Sequence, residues 1–297
     1  MTTTHDIFSS FDDAIRLLDD DMDTGLKRIL DCVAPLATKY YPDDDVKLGE
    51  KITLIGSMAK DTGVKPLGDA DVLFHLPVDT YLRFKNYAGN GQSALLQEVR
   101  EQLKQRYPRT DIRGDGPVVV VKFNEEPAVE LVPAVLDLSH DLFHADCLVP
   151  VTRDGGTWEP VDYGAQWEEF TTWDAVVNGQ LRRLMRYLKM WRKTTNAQIK
   201  SIVLEAMAIE FIKTWDRERT SHNWDDWLVR DFLVYMVDNY VTTYYMPGIR
   251  EPIDTGYGWY SAARQSREDA KTACGFKPEE FSYRYYWRKV LGDKFGA

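Results

Sequence analysis

Apolar positions recur at intervals of three and four from Phe11 onward, through Ile15, Leu18, Met22, Leu26, Ile29, Leu30 and Val33. That period predicts an amphipathic helix reaching about Lys39 and bent or interrupted at Pro35, followed by a loop over the YPDDD segment at 41–45. The period then shortens to two. Strands are predicted at 51–55 and 71–76, separated by a Gly-Ser turn and a polar loop through Gly68. Residues 93–106 return to the helical period, with Leu95, Leu96, Val99 and Leu103 on one face and Ser93 as the expected cap. Two further strands, 118–123 and 128–132, are joined by a short polar link and read as a hairpin. Beyond about residue 170 helical periods dominate, at 174–193, 199–215, 225–240 and 261–274, the last ending near Gly275 as a C-cap. The expected class is α+β, with a mixed-sheet lobe over 1–172 that carries the N-terminal long helix and a helical lobe over 173–297. Trp and Tyr concentrate in the helical half, where they read as packing residues of that lobe.

Composition narrows the function classes. A chain of 297 residues with 44% hydrophobic and 28% charged residues folds, and has room for one large domain or two smaller ones. Its net charge of −10 argues against a surface that coats long nucleic acid or an anionic membrane, so any phosphate site must be local. Cys32, Cys147 and Cys274 are widely spaced and odd in number, which gives neither a disulfide framework nor a zinc ribbon and suits a reducing cytoplasm. The acidic N-terminus is unlike a signal peptide, and no apolar run approaches the roughly 20 residues of a membrane span.

The chemistry concentrates in Gly56-Ser57-Met58-Ala59-Lys60-Asp61-Thr62 and Asp69-Ala70-Asp71. Two aspartates two apart on a strand project from the same face, where they can share hard cations and repel each other without one. The Gly56-Ser57 turn just upstream can offer backbone N–H groups and a hydroxyl to a phosphate. Glu130, flanked by Val129 and Leu131 that point to the opposite face, joins the pair if the 118–132 hairpin lies beside the Asp69–Asp71 strand; otherwise it is an ordinary outward-facing residue. On the helix LRRLMRYLKMWRK, Leu181, Leu184, Leu188 and Trp191 form an apolar stripe, while Arg182, Arg186, Lys189 and Lys193 line another face. His140 and His144, with Asp137, Asp141, Asp146 and Cys147, have spacing that could hold a transition metal, but a polar surface turn explains them more simply. The final residues, 293–297, read as a small flexible tail.

GSMAKDT, DADVLF and VELVP together resemble the GS…DxD…(D/E) signature of the polymerase-β-like nucleotidyltransferase superfamily. More narrowly, the chain resembles the bacterial cGAS/DncV-like nucleotidyltransferases (CD-NTases), a likeness that extends to LRRLMRYLKMWRK, IKSIVLEAMA and YWRKVLGDKFGA. The resemblance implies a catalytic lobe and a helical lobe with nucleoside triphosphates in the cleft between them. It implies two Mg²⁺ ions, with Mn²⁺ as a substitute, on Asp69, Asp71 and Glu130, where the family's third acid is commonly Asp. It implies that Lys189 and Ser201 hold the triphosphate; Asn178, one helix turn before the arginines, is a candidate nucleobase contact, although an Asn near a helix start is ordinary. The expected activity is synthesis of a cyclic di- or trinucleotide second messenger in anti-phage defence (CBASS), by a cytoplasmic monomer open to an accessory protein or to regulatory conjugation at Ala297. The animal relatives' zinc insertion has no cysteine set here, which argues against direct DNA sensing. The same signature also serves enzymes that nucleotidylate tRNA, proteins or small molecules, and its fold can serve non-catalytic nucleotide or RNA binding.

Overall fold

The register of the strands places the acids. The computed structural model describes residues 2–125, 127–136, 147–215, 220–247 and 250–297. In chain order they form α1 (Thr4–Ile15), α2 (Asp19–Tyr40), β1 (Ile52–Leu54), α3 (Gly56–Ala59), β2 (Asp69–His75), α4 (Val78–Lys85), α5 (Gly91–Arg106), β3 (Asp111–Asp115), β4 (Val118–Lys122), β5 (Ala128–Leu136), β6 (Cys147–Val151) and β7 (Thr157–Val161). There follow α6 (Tyr163–Val176), α7 (Gln180–Thr195), α8 (Ser201–Ile212), α9 (Asp225–Asp238), β8 (Tyr244–Tyr245), β9 (Pro252–Ile253), α10 (Tyr260–Ala273) and α11 (Phe281–Leu291).

These elements fall into two units. A sheet unit comprises Leu17–Asp61 and Pro66–Gly164, and a helical unit comprises Met1–Arg16, Thr62–Lys65 and Ala165–Ala297. The expected division at 172/173 put α1 and residues 62–65 with the sheet; by packing they belong to the helical unit, which resumes at Ala165. The reason is apolar: Phe8 and Phe11 are fully buried against Tyr187 of α7, and Phe8 also meets Trp287 of α11. The single helix expected over 11–39 is therefore two. The Asp21 carboxylate accepts the Leu18 N–H and caps the start of α2, and three acidic residues in its first turn suit the helix dipole.

In the sheet unit the strand order is β1-β2-β5-β4-β3, with β6 on β5 and β7 on β6. β2 and β5 run parallel and the other pairs antiparallel, so the sheet is mixed as expected and the 118–132 hairpin does lie beside β2. One face buries Ala70, Val72, Phe74, Val129 and Leu131 in a core with Ile29, Val33 and Leu36 of α2 and Leu95, Val99 and Leu103 of α5. The other buries Leu73, Val132 and Ala134 against Cys147, Val149 and Val151 of β6. The cap of α5 is Asn90, whose side chain accepts the Ser93 N–H; Ser93 is not the cap.

The helical unit buries Trp191, Trp259, Trp287, Tyr187, Tyr283 and Phe232, which bears out the packing reading of its aromatics. The C-terminal tail is not the loose end the sequence suggested. Phe295 is fully buried against Phe8, Phe11 and Trp287, while Arg288 donates to the carbonyls of Phe295 at 2.8 Å and Gly296 at 2.9 Å. One aromatic anchor and two charge-assisted hydrogen bonds outweigh the small residues around them.

Candidate active site

β2 and β5 bring the acids together by register. Asp71 is paired across the parallel ladder with Glu130, and Asp69 with Ala128. Successive side chains alternate, so Asp69, Asp71 and Glu130 stand on the face opposite Ala70, Val72, Val129 and Leu131, whose burial fixes that orientation. Asp69 is exposed, and Asp71 and Glu130 are partly buried. Burial is the largest influence on the Glu130 carboxyl; the nearby charges of Asp71, Asp69 and Asp115 add to it and push the group from 4.5 up to about 7. Asp115, on β3, is an acid the sequence reading missed. Its alternation signal was lost in the Asp-Ile-Arg-Gly-Asp run.

The Gly-Ser segment is a single helical turn rather than an open turn. Gly56 has φ +63°, and a Cβ there would stand 2.1 Å from Asp71 Oδ2 and 2.8 Å from its Cγ. Only glycine lets the backbone come this close to the carboxylate, and glycine adopts that φ without strain. Ser57 follows at the half-buried face of the turn, and Met58 is buried under α2 at Gly25, where a Cβ would meet the Met58 side chain at 2.9 Å. Thus Gly25, Met58 and Gly56 hold the turn against the acids within the sheet unit.

Three carboxylates of this kind are the hard oxygen donors a divalent magnesium takes, and their mutual repulsion is what a cation would relieve. Among the described residues no three His, Cys, Asp or Glu side chains converge tightly enough to form a ligand set as they stand. The donor chemistry of the three fits a hard divalent cation. The proton balance of the cation-free protein follows from Glu130. Its folded pKa lies above its ordinary value, so the stability it contributes is fully present below about 4.5 and is lost as pH rises through about 7. Glu130→Gln is therefore expected to raise the melting temperature of the cation-free protein at pH 8 and to flatten its pH dependence across that window. Calorimetry with EDTA at pH 5 and pH 8 checks it; equal effects at the two pH values would contradict the assignment.

The remaining candidates lie in the helical unit, on α7 and at its two flanks, and the basic face of α7 is largely paired. The Arg186 guanidinium donates to both Asp12 carboxylate oxygens at 2.7 Å and is buried, so it is not part of a solvated or phosphate-facing stripe. Arg183 donates to Asp225, a fully buried carboxylate that also accepts Tyr187 OH at 2.8 Å. Arg182 pairs with Asp174, which at the end of α6 also accepts the Arg182 N–H and so caps α7. Lys189 is half-buried and donates to Thr62 Oγ1 at 3.4 Å. Ser201 is the first residue of α8, and its hydroxyl accepts from Arg192 Nη1 at 2.8 Å. Asn178 is exposed in the α6–α7 turn with φ 52°, beside Gly179 at φ 82°, and that left-handed pair explains its residue type without a ligand. Of the histidine cluster, Cys147 is buried with Sγ 3.8 Å from the Val161 carbonyl; His140, His144, Asp137, Asp141 and Asp146 lie outside the described residues. Among the described residues no helix is long and apolar enough to cross a membrane.

No curated protein matches the chain by sequence. Solved structures do match by shape. The Vibrio cholerae cyclic AMP-GMP synthase DncV, solved with the linear intermediate 5′ pppA(3′,5′)pG, superposes with a TM-score of 0.75 at 12% identity, over 99% of this chain and 97% of that one. CdnC of E. coli MS115-1, solved with ATP, gives 0.66 at 16% identity over 99% of each chain, and its complex with HORMA-deltaN gives 0.69 at 16%. At such identities the likeness establishes the fold, a mixed sheet with a helical second unit. Residues 1–178 match the family described as the Second Messenger Oligonucleotide or Dinucleotide Synthetase (SMODS) domain, a span that includes every element bearing Asp69, Asp71 and Glu130. With more than half its length in that match, the chain belongs to the family of second messenger oligonucleotide or dinucleotide synthetases.

Proposed function

We propose that this protein joins nucleoside triphosphates through phosphodiester bonds into a cyclic di- or trinucleotide, releasing pyrophosphate, and that the product is a second messenger in bacterial anti-phage defence. The observation that carries the reading is the register that sets Asp71 against Glu130, with Asp69 on the same face and Gly56 under the Asp71 carboxylate. Asp69, Asp71 and Glu130 would hold Mg²⁺, or Mn²⁺ in its place; bound there, two such ions neutralise charge at the reacting phosphorus and at the leaving pyrophosphate. Glu130, whose carboxyl is raised by burial and by its acidic neighbours, is suited to take a proton from an attacking ribose hydroxyl. Gly56 and Ser57 offer an N–H and a hydroxyl to phosphate oxygens.

Lys189 and Ser201 are proposed to hold the triphosphate, and Asn178 to touch a base. The 3.4 Å contact from Lys189 to Thr62 is long for a hydrogen bond, and the ammonium is a point charge suited to phosphate oxygens. Lys189→Ala is expected to raise KM for ATP about 10-fold while kcat falls less than about 3-fold, as loss of ground-state binding requires; a loss confined to kcat would move Lys189 to the transition state. An accessory partner is proposed on the likeness to E. coli CdnC, which was solved in complex with HORMA-deltaN. A cytoplasmic location is proposed with it, where nucleoside triphosphates are available as substrates. Mass spectrometry of products from the four NTPs with Mg²⁺ tests the whole reading. A cyclic product with stoichiometric pyrophosphate supports it, and turnover only with an added tRNA, protein or small-molecule acceptor overturns it.

A further inference from the structure

α7 and α8 are joined by a short link in which Asn196 is left-handed, with φ 53°, and Ile199 is buried. Arg192 lies three residues beyond Lys189 on α7, hence on the same side of the helix. Its Nη1 donates to two acceptors, Ser201 Oγ at 2.8 Å and the Ile199 carbonyl at 3.3 Å. One guanidinium nitrogen therefore fixes both the backbone entering α8 and the first side chain of that helix. Arg192 is also the one hydrogen-bond partner of Ser201 Oγ among the described residues.

The chemistry of the two groups gives this contact a direction. A serine hydroxyl has one hydrogen to donate and two lone pairs, whereas a guanidinium has donors only. Arg192 must therefore occupy a lone pair of Ser201 Oγ, which turns the hydroxyl hydrogen away from the guanidinium. The positive charge behind the oxygen polarises that O–H and makes it a better donor to an anion. Sequence reading missed the residue because its partner lies nine positions on, across a turn.

We propose that Arg192 is a positioning residue for triphosphate binding: it holds the Ser201 hydroxyl as an oriented, polarised donor to a phosphate oxygen. The inference rests on the reading of Ser201 as a triphosphate ligand. It requires the two residues to act as one unit, which distinguishes Arg192 from a second, independent phosphate ligand.

The test measures the affinity of the full-length protein for a non-hydrolysable ATP analogue with Mg²⁺ by calorimetry, alongside KM and kcat from pyrophosphate release. Ser201→Ala is expected to weaken binding about 10-fold, the scale of one hydrogen bond to a charged group. Arg192→Gln should weaken it by a similar factor, with KM raised and kcat within about 2-fold. The double variant should be no weaker than Ser201→Ala alone, because the lost interaction is shared. Arg192→Lys, which keeps a charge and a donor, should recover part of the affinity, and it carries the comparison if Arg192→Gln melts at a lower temperature. Losses that multiply in the double variant would overturn the inference and make Arg192 an independent ligand or a structural tie. A normal affinity in both Arg192 variants, with Ser201→Ala impaired, would overturn the inference and leave the triphosphate reading standing. A normal affinity in Ser201→Ala would remove that reading and the inference with it.

Discussion

Asp71→Asn is expected to reduce turnover by at least about 10³-fold while leaving the protein folded. Asp71 sits between Ala70 and Val72, both fully buried, so the strand is held by its neighbours and not by the carboxylate. Asparagine matches aspartate in size and fits the same space over Gly56, while it removes the charge and exchanges one acceptor oxygen for an NH₂ donor. That charge faces Glu130 across the ladder, where a cation-bound phosphate would need it most. Loss of one preorganised electrostatic group typically costs about 10²–10³ in rate, and a carboxylate that would hold the cation belongs at or beyond the upper end. Asp69→Asn should behave similarly, although its exposure makes its influence on neighbours smaller. A second signature accompanies the loss. With the Asp71 charge gone, one of the influences that raises the Glu130 carboxyl is removed, so that group should titrate lower in the cation-free variant. Pyrophosphate release and thermal melting, measured together with and without Mg²⁺, decide the matter. Wild-type turnover in a well-folded Asp71→Asn protein would end the two-metal reading.

The part of this site that is legible in the sequence is the part that depends on period two. Asp69 and Asp71 share a face because any strand puts them there, and Val129 and Leu131 fix Glu130 to the opposite side from the core for the same reason. The parallel pairing of β2 with β5 is a long-range choice, and the sequence supports it only as a condition on where the hairpin lies. Strands β3, β6 and β7 escape sequence reading because their sequences carry glycine, proline or charge where alternation would be expected: Asp-Ile-Arg-Gly-Asp, Cys-Leu-Val-Pro-Val and Thr-Trp-Glu-Pro-Val. The break between α1 and α2 escapes because Ile15, Leu18 and Met22 keep helical spacing through it; a side-chain cap from Asp21, not the periodicity, ends the run. The α7 stripe is a further case. Leu181, Leu184, Leu188 and Trp191 are all buried, as their spacing predicts. The fates of Arg183 and Arg186 beside them depend on acids 42 and 174 positions away in sequence, and no local pattern encodes those partners. Phe295 is misread for the same reason, since its partners Phe8 and Phe11 stand at the other end of the chain.

Those distant partners give the largest stability effect expected in the helical unit. Arg186 and Asp12 form a bidentate pair with both contacts at 2.7 Å, and each residue is only 6% exposed. Asp12→Ala leaves the guanidinium buried without its counter-charge, and breaking a buried pair from one side typically costs about 3–5 kcal/mol. Asp12→Asn keeps one acceptor oxygen and should fall between Asp12→Ala and wild type. The pair itself need not be a net gain, since two charges had to leave water to form it. Asp12→Leu combined with Arg186→Met replaces both charges with apolar groups of similar size, and should lie within about 1 kcal/mol of the wild type. Urea denaturation followed by tryptophan fluorescence suits the measurement, because Trp191 and Trp287 are buried in the same core. If Asp12→Ala costs less than about 1 kcal/mol, water reaches Arg186 and the pair is no clamp between α1 and α7. If the double variant is as unstable as Asp12→Ala, the clamp depends on its charges in their own right, and the aromatic packing of Phe8 and Phe11 against Tyr187 is not enough to hold α1 in place.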